Sequence, residues 1–153
     1  MQKNINILNK KAKFQYEILD KYSAGIVLTG TEIKSIRSSL ASIAESFCEF
    51  NEQGELFVIN MTIQEYRFGN IYNHVPKAER KLLLNKKELK KLEKEVTNSG
   101  LTIIPLRLFI NENGYAKLDI ALAKGKKLYD KRDTIKDRDN KRDLARIKKD
   151  HNN

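Results

Sequence analysis

The chain has 153 residues, 33% charged and 40% hydrophobic, with a formal net charge of +10, which predicts one basic domain able to build a core. A single cysteine, Cys48, excludes an internal disulfide framework and a Cys-rich zinc site, and two histidines exclude a multi-histidine metal centre. No apolar run approaches the roughly 18 residues of a membrane span, and the polar stretch to Lys13 is unlike a signal peptide, so a cytoplasmic protein with no membrane partner is expected.

In chain order, residues 1–13 read as a basic arm. Phe14, Tyr16 and Ile18 alternate with polar neighbours, the period of a half-buried strand, and Ala24–Leu28 is a second short apolar run. Ile33, Ile36 and Leu40 share one face of a short helix capped by Gly30 or Thr31. Ala44–Phe50 and Leu56–Ile63 are strand candidates joined by Asn51-Glu52-Gln53-Gly54, a hairpin signal. Residues 64–80, around His74-Val75-Pro76, form a long irregular loop of a length often tied to function. Asn85 with Glu88 predicts a capping box, Leu89, Leu92 and Val96 a helical stripe, and Gly100 its end. Leu101–Ile110 and Tyr115–Leu122 flank a second hairpin turn, Asn111-Glu112-Asn113-Gly114. About six short strands with two helices predict a mainly β fold with helices, a small antiparallel barrel of oligonucleotide-binding type, with a split βαβ sandwich as the alternative.

From Lys124 onward the composition changes: twelve basic residues stand against six acidic ones. Such a segment suits a polyanion. Leu128, Ile135, Leu144 and Ile147 are too few large aliphatic side chains to offset ordering entropy, yet the stretch lacks proline and Asp137 can pair with Lys141 one turn on. The reading is a barrel domain over 1–123 and a tail over 124–153 that is disordered when free and becomes helical on a binding surface.

Catalytic signals are missing. The seven glycines form no phosphate-cradling loop, neither histidine stands near a nucleophile motif, and Cys48 lies in an alternating pattern that reads as core. No catalytic residue, metal or cofactor is expected.

Three ordered blocks remain. The first is Asn9-Lys10-Lys11-Ala12 followed by Phe14, Tyr16 and the run from Ala24 through Thr29-Gly30-Thr31-Glu32-Ile33-Lys34-Ser35-Ile36-Arg37. The second is His74-Val75-Pro76 leading to Arg80-Lys81-Leu82-Leu83-Leu84-Asn85, and the third Ala123-Lys124-Gly125-Lys126-Lys127-Leu128-Tyr129-Asp130-Lys131-Arg132. In this order and spacing they resemble the small protein B, or SsrA-binding protein, family of bacteria, from about Leu8 to about Lys149.

The resemblance implies a barrel of oligonucleotide-binding type and an adaptor role. The family binds the tRNA-like domain of transfer-messenger RNA (tmRNA), helps load it with alanine and delivers it to stalled ribosomes for trans-translation. It further implies RNA contacts at Asn9, Lys10, Lys11, Ser23, Lys34, Arg37, Arg80, Lys81 and Leu83, with Leu83 meeting the RNA elbow. Glu32 reads as an orienting partner of its neighbours. Lys124, Gly125, Lys126, Lys127, Tyr129, Asp130, Lys131 and Arg132 match the tail motif that works at the small-subunit decoding region and mRNA channel. Ser23 stands where the family commonly has glutamate, and Ala78 where it often has arginine. A monomer is expected. The rival readings are a ribosomal protein with a basic extension and a general single-strand binder. The latter needs an aromatic stacking platform, whereas the twelve aromatics read as spread about one per strand.

Overall fold

The computed structural model describes residues 5–126. Strand β1 (Asn6–Leu8) precedes a one-turn helix α1 (Ala12–Gln15), strand β2 (Tyr16–Ile26) and helix α2 (Gly30–Arg37). Four short strands follow: β3 (Ala41–Ser42), β4 (Phe47–Phe50), β5 (Leu56–Ile59) and β6 (Thr62–Ile63). After a 3-10 turn at Asn70–Tyr72 come β7 (Arg80–Leu83), α3 (Lys86–Ser99), β8 (Thr102–Ile110) and β9 (Ala116–Gly125).

Antiparallel pairing runs β8–β4–β5–β7–β2–β9 and returns from β9 to β8, closing a barrel of the expected kind. Closure satisfies strand edges that would otherwise stay open. β1 lies on β8 opposite Arg107–Phe109, and β3 pairs with β6 in a separate two-stranded sheet. Period-two alternation fills the barrel: Ala116, Leu118, Ile120 and Leu122 of β9 point inward against Ala24, Val58, Leu82, Ile103 and Leu108. Ile36 of α2 and Leu92 of α3, both fully buried, join the same core.

Both hairpins form as expected, with Gly54 and Gly114 at φ 77° and 83° in the turns. Helix α3 also follows the expectation: Asn85 and Glu88 exchange capping bonds, and Gly100 ends the helix at φ 62°. Elsewhere the elements shift. The two apolar runs before α2 are one eleven-residue strand, β2, whose register slips between Ile18 and Asp20. The α2 cap is Thr29, because its hydroxyl accepts from the Glu32 N–H while the Glu32 carboxylate accepts from the Thr29 N–H. The expected strand Leu56–Ile63 breaks at Asn60, which takes φ 64°, a left-handed conformation asparagine tolerates. The arm is partly regular, with β1 and α1 within it. Strand β9 continues to Gly125, two residues past the expected domain boundary. The disorder and induced helix expected of the tail fall on residues outside those described.

Cys48 is 4% exposed, and burial pushes its thiol well above the ordinary range. The native protein is therefore expected to resist thiol-specific reagents and to react at one site once unfolded in guanidinium. Rapid native-state labelling would contradict its core placement.

Candidate nucleic-acid interface

The arm is docked against the outside of the barrel. Ala12, 2% exposed, packs with Ile104 and Ala123 in a small second core flanked by Tyr16, Ile18 and Leu106. The Asn9 N–H donates to the Leu106 carbonyl at 2.9 Å, and its Nδ2 to the Pro105 carbonyl at 3.0 Å. These bonds fix Asn9, whose Oδ1 is buried without a hydrogen-bond partner.

Asn9 and Lys10 line a cleft of about 870 Å³ over β1, β2, β8 and β9. Lys10, Lys13, Lys21, Arg107 and Lys126 bring five cations to its walls, against the carboxylates of Glu17 and Asp119. Arg107 is held twice, by a 3.1 Å bond from Nε to Asp119 and by its guanidinium lying 3.9 Å from the Phe109 ring centroid. Lys10, Lys13 and Lys21 are exposed. Tyr22 lines the same cleft, and its hydroxyl donates to Asp20 at 3.3 Å. Burial first, then the Asp20 charge, raise the Tyr22 phenol above its ordinary value, so it stays a proton donor. The cleft thus offers cations and hydroxyls, which suits a ribose-phosphate chain.

Of the expected contacts, Asn9, Lys10 and Ser23 converge on this cleft, with Lys126 from the tail motif. Lys11 is exposed at the start of α1. Leu83 is 52% exposed while Leu82 beside it is buried, as strand alternation requires. Gly25 lies opposite Leu83 across the β2–β7 pairing. Lys81 is partly exposed and pairs with Glu55 at 2.5 Å, the bond that chiefly lowers the Glu55 carboxyl below its usual value. Lys34 and Arg37 are exposed on α2, away from the cleft lining. Lys124 and Gly125 belong to β9, opposite Glu17 and Tyr16. Lys127, Tyr129, Asp130, Lys131 and Arg132 lie outside the described residues.

Arg80 corrects the expectation of direct contact. It is 3% exposed, paired with Glu32 through Nε, and donates to the carbonyls of Met61 at 2.8 Å, Val75 at 3.2 Å and Pro76 at 3.0 Å. Every guanidinium nitrogen is engaged below the surface, so a phosphate cannot reach it. Glu32, also buried, orients Arg80 as a partner.

Lys13, Lys21, Arg107 and Asp119 were not singled out from the sequence. Arg107 and Asp119 were within reach, because counting outward from Asn111–Gly114 places them opposite each other. Lys13 carried no signal beyond its charge.

The SmpB protein family profile matches residues 6–150. The chain belongs to the SmpB family. It is 74% identical to the SsrA-binding protein of Flavobacterium psychrophilum over 149 residues, covering 97% of this chain and 99% of that one. The SsrA-binding protein of Bacteroides thetaiotaomicron is 58% identical, covering 95% and 97%, and that of Agrobacterium fabrum 51%, covering 92% and 88%. Among solved structures, a chain from work on tmRNA–SmpB and the bacterial ribosome matches at TM-score 0.67 and 45% identity, over 81% of this chain and 86% of that one. No helix among the described residues is long and apolar enough to cross a membrane.

Proposed function

We propose that this protein is a non-enzymatic adaptor that binds the tRNA-like domain of tmRNA and carries it to stalled ribosomes for trans-translation. The observation that carries the reading is the docked Asn9–Lys10 arm on the rim of a basic cleft, in a chain whose family match runs almost end to end. Asn9, Lys10 and Ser23 contact the RNA at the cleft, Lys11, Lys34, Arg37 and Lys81 add phosphate contacts outside it, and Leu83 supplies a flat apolar contact. Ser23 offers a hydroxyl where a carboxylate is common, so the arm carries more of the binding here. The residues after Lys126 read the empty mRNA channel. The cytoplasm is where both partners are met.

Titration of full-length protein into the labelled tRNA-like domain, with ordinary tRNA as competitor, tests the reading. Tight binding that prefers tmRNA and weakens with salt at a log–log slope of about −4 is expected for four to five neutralised phosphates. A salt-insensitive affinity, or none, would contradict it. Leu83→Asp is expected to cost about 1–3 kcal/mol of RNA binding, the scale of a lost stacking contact, with the melting temperature unchanged because the side chain is exposed. Unfolding of that variant would make Leu83 a core residue.

A further inference from the structure

The segment between β6 and β7 is tightly built. Asn73 closes it: Nδ2 donates to the Tyr66 carbonyl at 2.6 Å, and Oδ1 accepts from the N–H groups of Tyr66 and His74 at 3.0 and 3.2 Å. Buried His74 fastens it to the domain, with Nδ1 2.9 Å from the Thr31 hydroxyl and Nε2 2.9 Å from the Ile63 carbonyl. Arg80 holds the carbonyls of Val75 and Pro76 from beneath. Gly69 is required, since a Cβ there would lie 2.7 Å from Asn73 Nδ2 and 3.1 Å from the Thr31 methyl.

This scaffold displays apolar side chains to solvent. Phe68 is 68% exposed, Ile71 88%, Tyr72 85% and Val75 69%. A fixed loop that shows such a group of side chains marks an interaction site. Tyr66 and Phe68 meet edge to face at 5.7 Å, so the aromatics expected to be scattered gather here. Lys34 Nζ lies 5.2 Å from the Tyr66 ring centroid and the Arg67 guanidinium 5.6 Å from that of Phe68. Arg37 and Lys77 add exposed cations, against exposed Glu65 and Glu79, while Glu32 is buried with Arg80. Rings and cations together fit unstacked bases and their phosphates, and a pre-ordered loop lowers the entropic cost of binding them.

The loop contributes no residue to the cleft, which lies over β1, β2, β8 and β9. An adaptor that carries one RNA to another needs a second RNA face, and this loop is built as one. We propose that residues 66–75 form a second RNA-binding surface, on which Phe68 and Tyr72 stack unpaired bases of ribosomal RNA while Arg67 and the neighbouring Lys77 take the adjoining phosphates. The choice of ribosomal RNA rests on the adaptor reading above.

The test places a photoreactive benzoylphenylalanine in place of Tyr72 in the full chain, with tmRNA bound, on ribosomes stalled at the end of a truncated message. Crosslinks are expected at unpaired nucleotides of ribosomal RNA. Crosslinks to a ribosomal protein, to tmRNA alone, or to nothing would overturn the proposal. In parallel, Phe68→Ala with Tyr72→Ala is expected to weaken binding to these ribosomes by about tenfold or more, with tmRNA affinity and melting temperature unchanged. Unchanged ribosome affinity in a folded double variant would also overturn it. Failure of the unmodified protein to bind tmRNA would instead defeat the adaptor reading, so the two failures are distinguishable.

Discussion

Arg80→Ala is expected to destabilise the protein by about 3–5 kcal/mol, the usual cost of removing one partner of a buried ion pair. Glu32 would be left as an uncompensated buried charge, and the carbonyls of Met61, Val75 and Pro76 would lose their donors. In a domain of this size the loss corresponds to roughly 10 °C or more in melting temperature. Replacing both partners, as in Glu32→Leu with Arg80→Met, is expected to recover part of it, because the stranded charge goes but the carbonyls stay unmet. Calorimetry with tmRNA titration separates two roles for Arg80. If Arg80→Ala melts like the parent and yet loses tmRNA, the residue touches RNA and its burial has been misread.

Ending the chain at Lys126 is expected to leave tmRNA binding near that of the full protein and to abolish peptide tagging on stalled ribosomes. The cut must fall there and no earlier. Lys124 and Gly125 pair with Glu17 and Tyr16, and the Lys126 N–H donates to the Gln15 carbonyl at 3.0 Å. A chain ending at Ala123 loses all three connections beside the second core that holds the arm, so it is expected to bind tmRNA more weakly as well. Changing Asp130, Lys131 and Arg132 together to alanine removes one net positive charge, too little for a bulk electrostatic loss. A large tagging defect in that variant would therefore mean specific contacts. Wild-type tagging by the chain ending at Lys126 would overturn the division of labour between barrel and tail.

What could be read in advance was local. Asn85 with Glu88, Gly100 and the two Asn-to-Gly turns each announce their geometry within a few residues, and they located α3 and both hairpins. That one leucine of Leu82–Leu84 is exposed was also legible, since three in a row cannot all face inward on one strand, but the choice of Leu83 came from the family resemblance. What escaped depends on partners far along the chain. Arg80 looks like a surface cation until Glu32, 48 residues away, is seen beside it. Strand β1 has only three residues and exists because β8 offers an edge opposite Arg107–Phe109. Asn60 interrupts an apolar run by taking a left-handed conformation that apolar patterning does not register. The gathering of Tyr66, Phe68 and Tyr72 follows from Asn73 closing the loop, a side-chain bond with no periodic signature.

Whether the cleft face holds tmRNA is decided by isolating the full-length protein from its native cell and sequencing the RNA that accompanies it, in parallel with the variant Asn9→Ala, Lys10→Ala. With the parent protein, tmRNA is expected to be strongly enriched over ordinary tRNA and ribosomal RNA, and with the folded variant that enrichment is expected to be lost. Recovery of ribosomal RNA in proportion to total ribosomes, with no tmRNA enrichment, or enrichment untouched by the variant, would contradict tmRNA binding at the cleft.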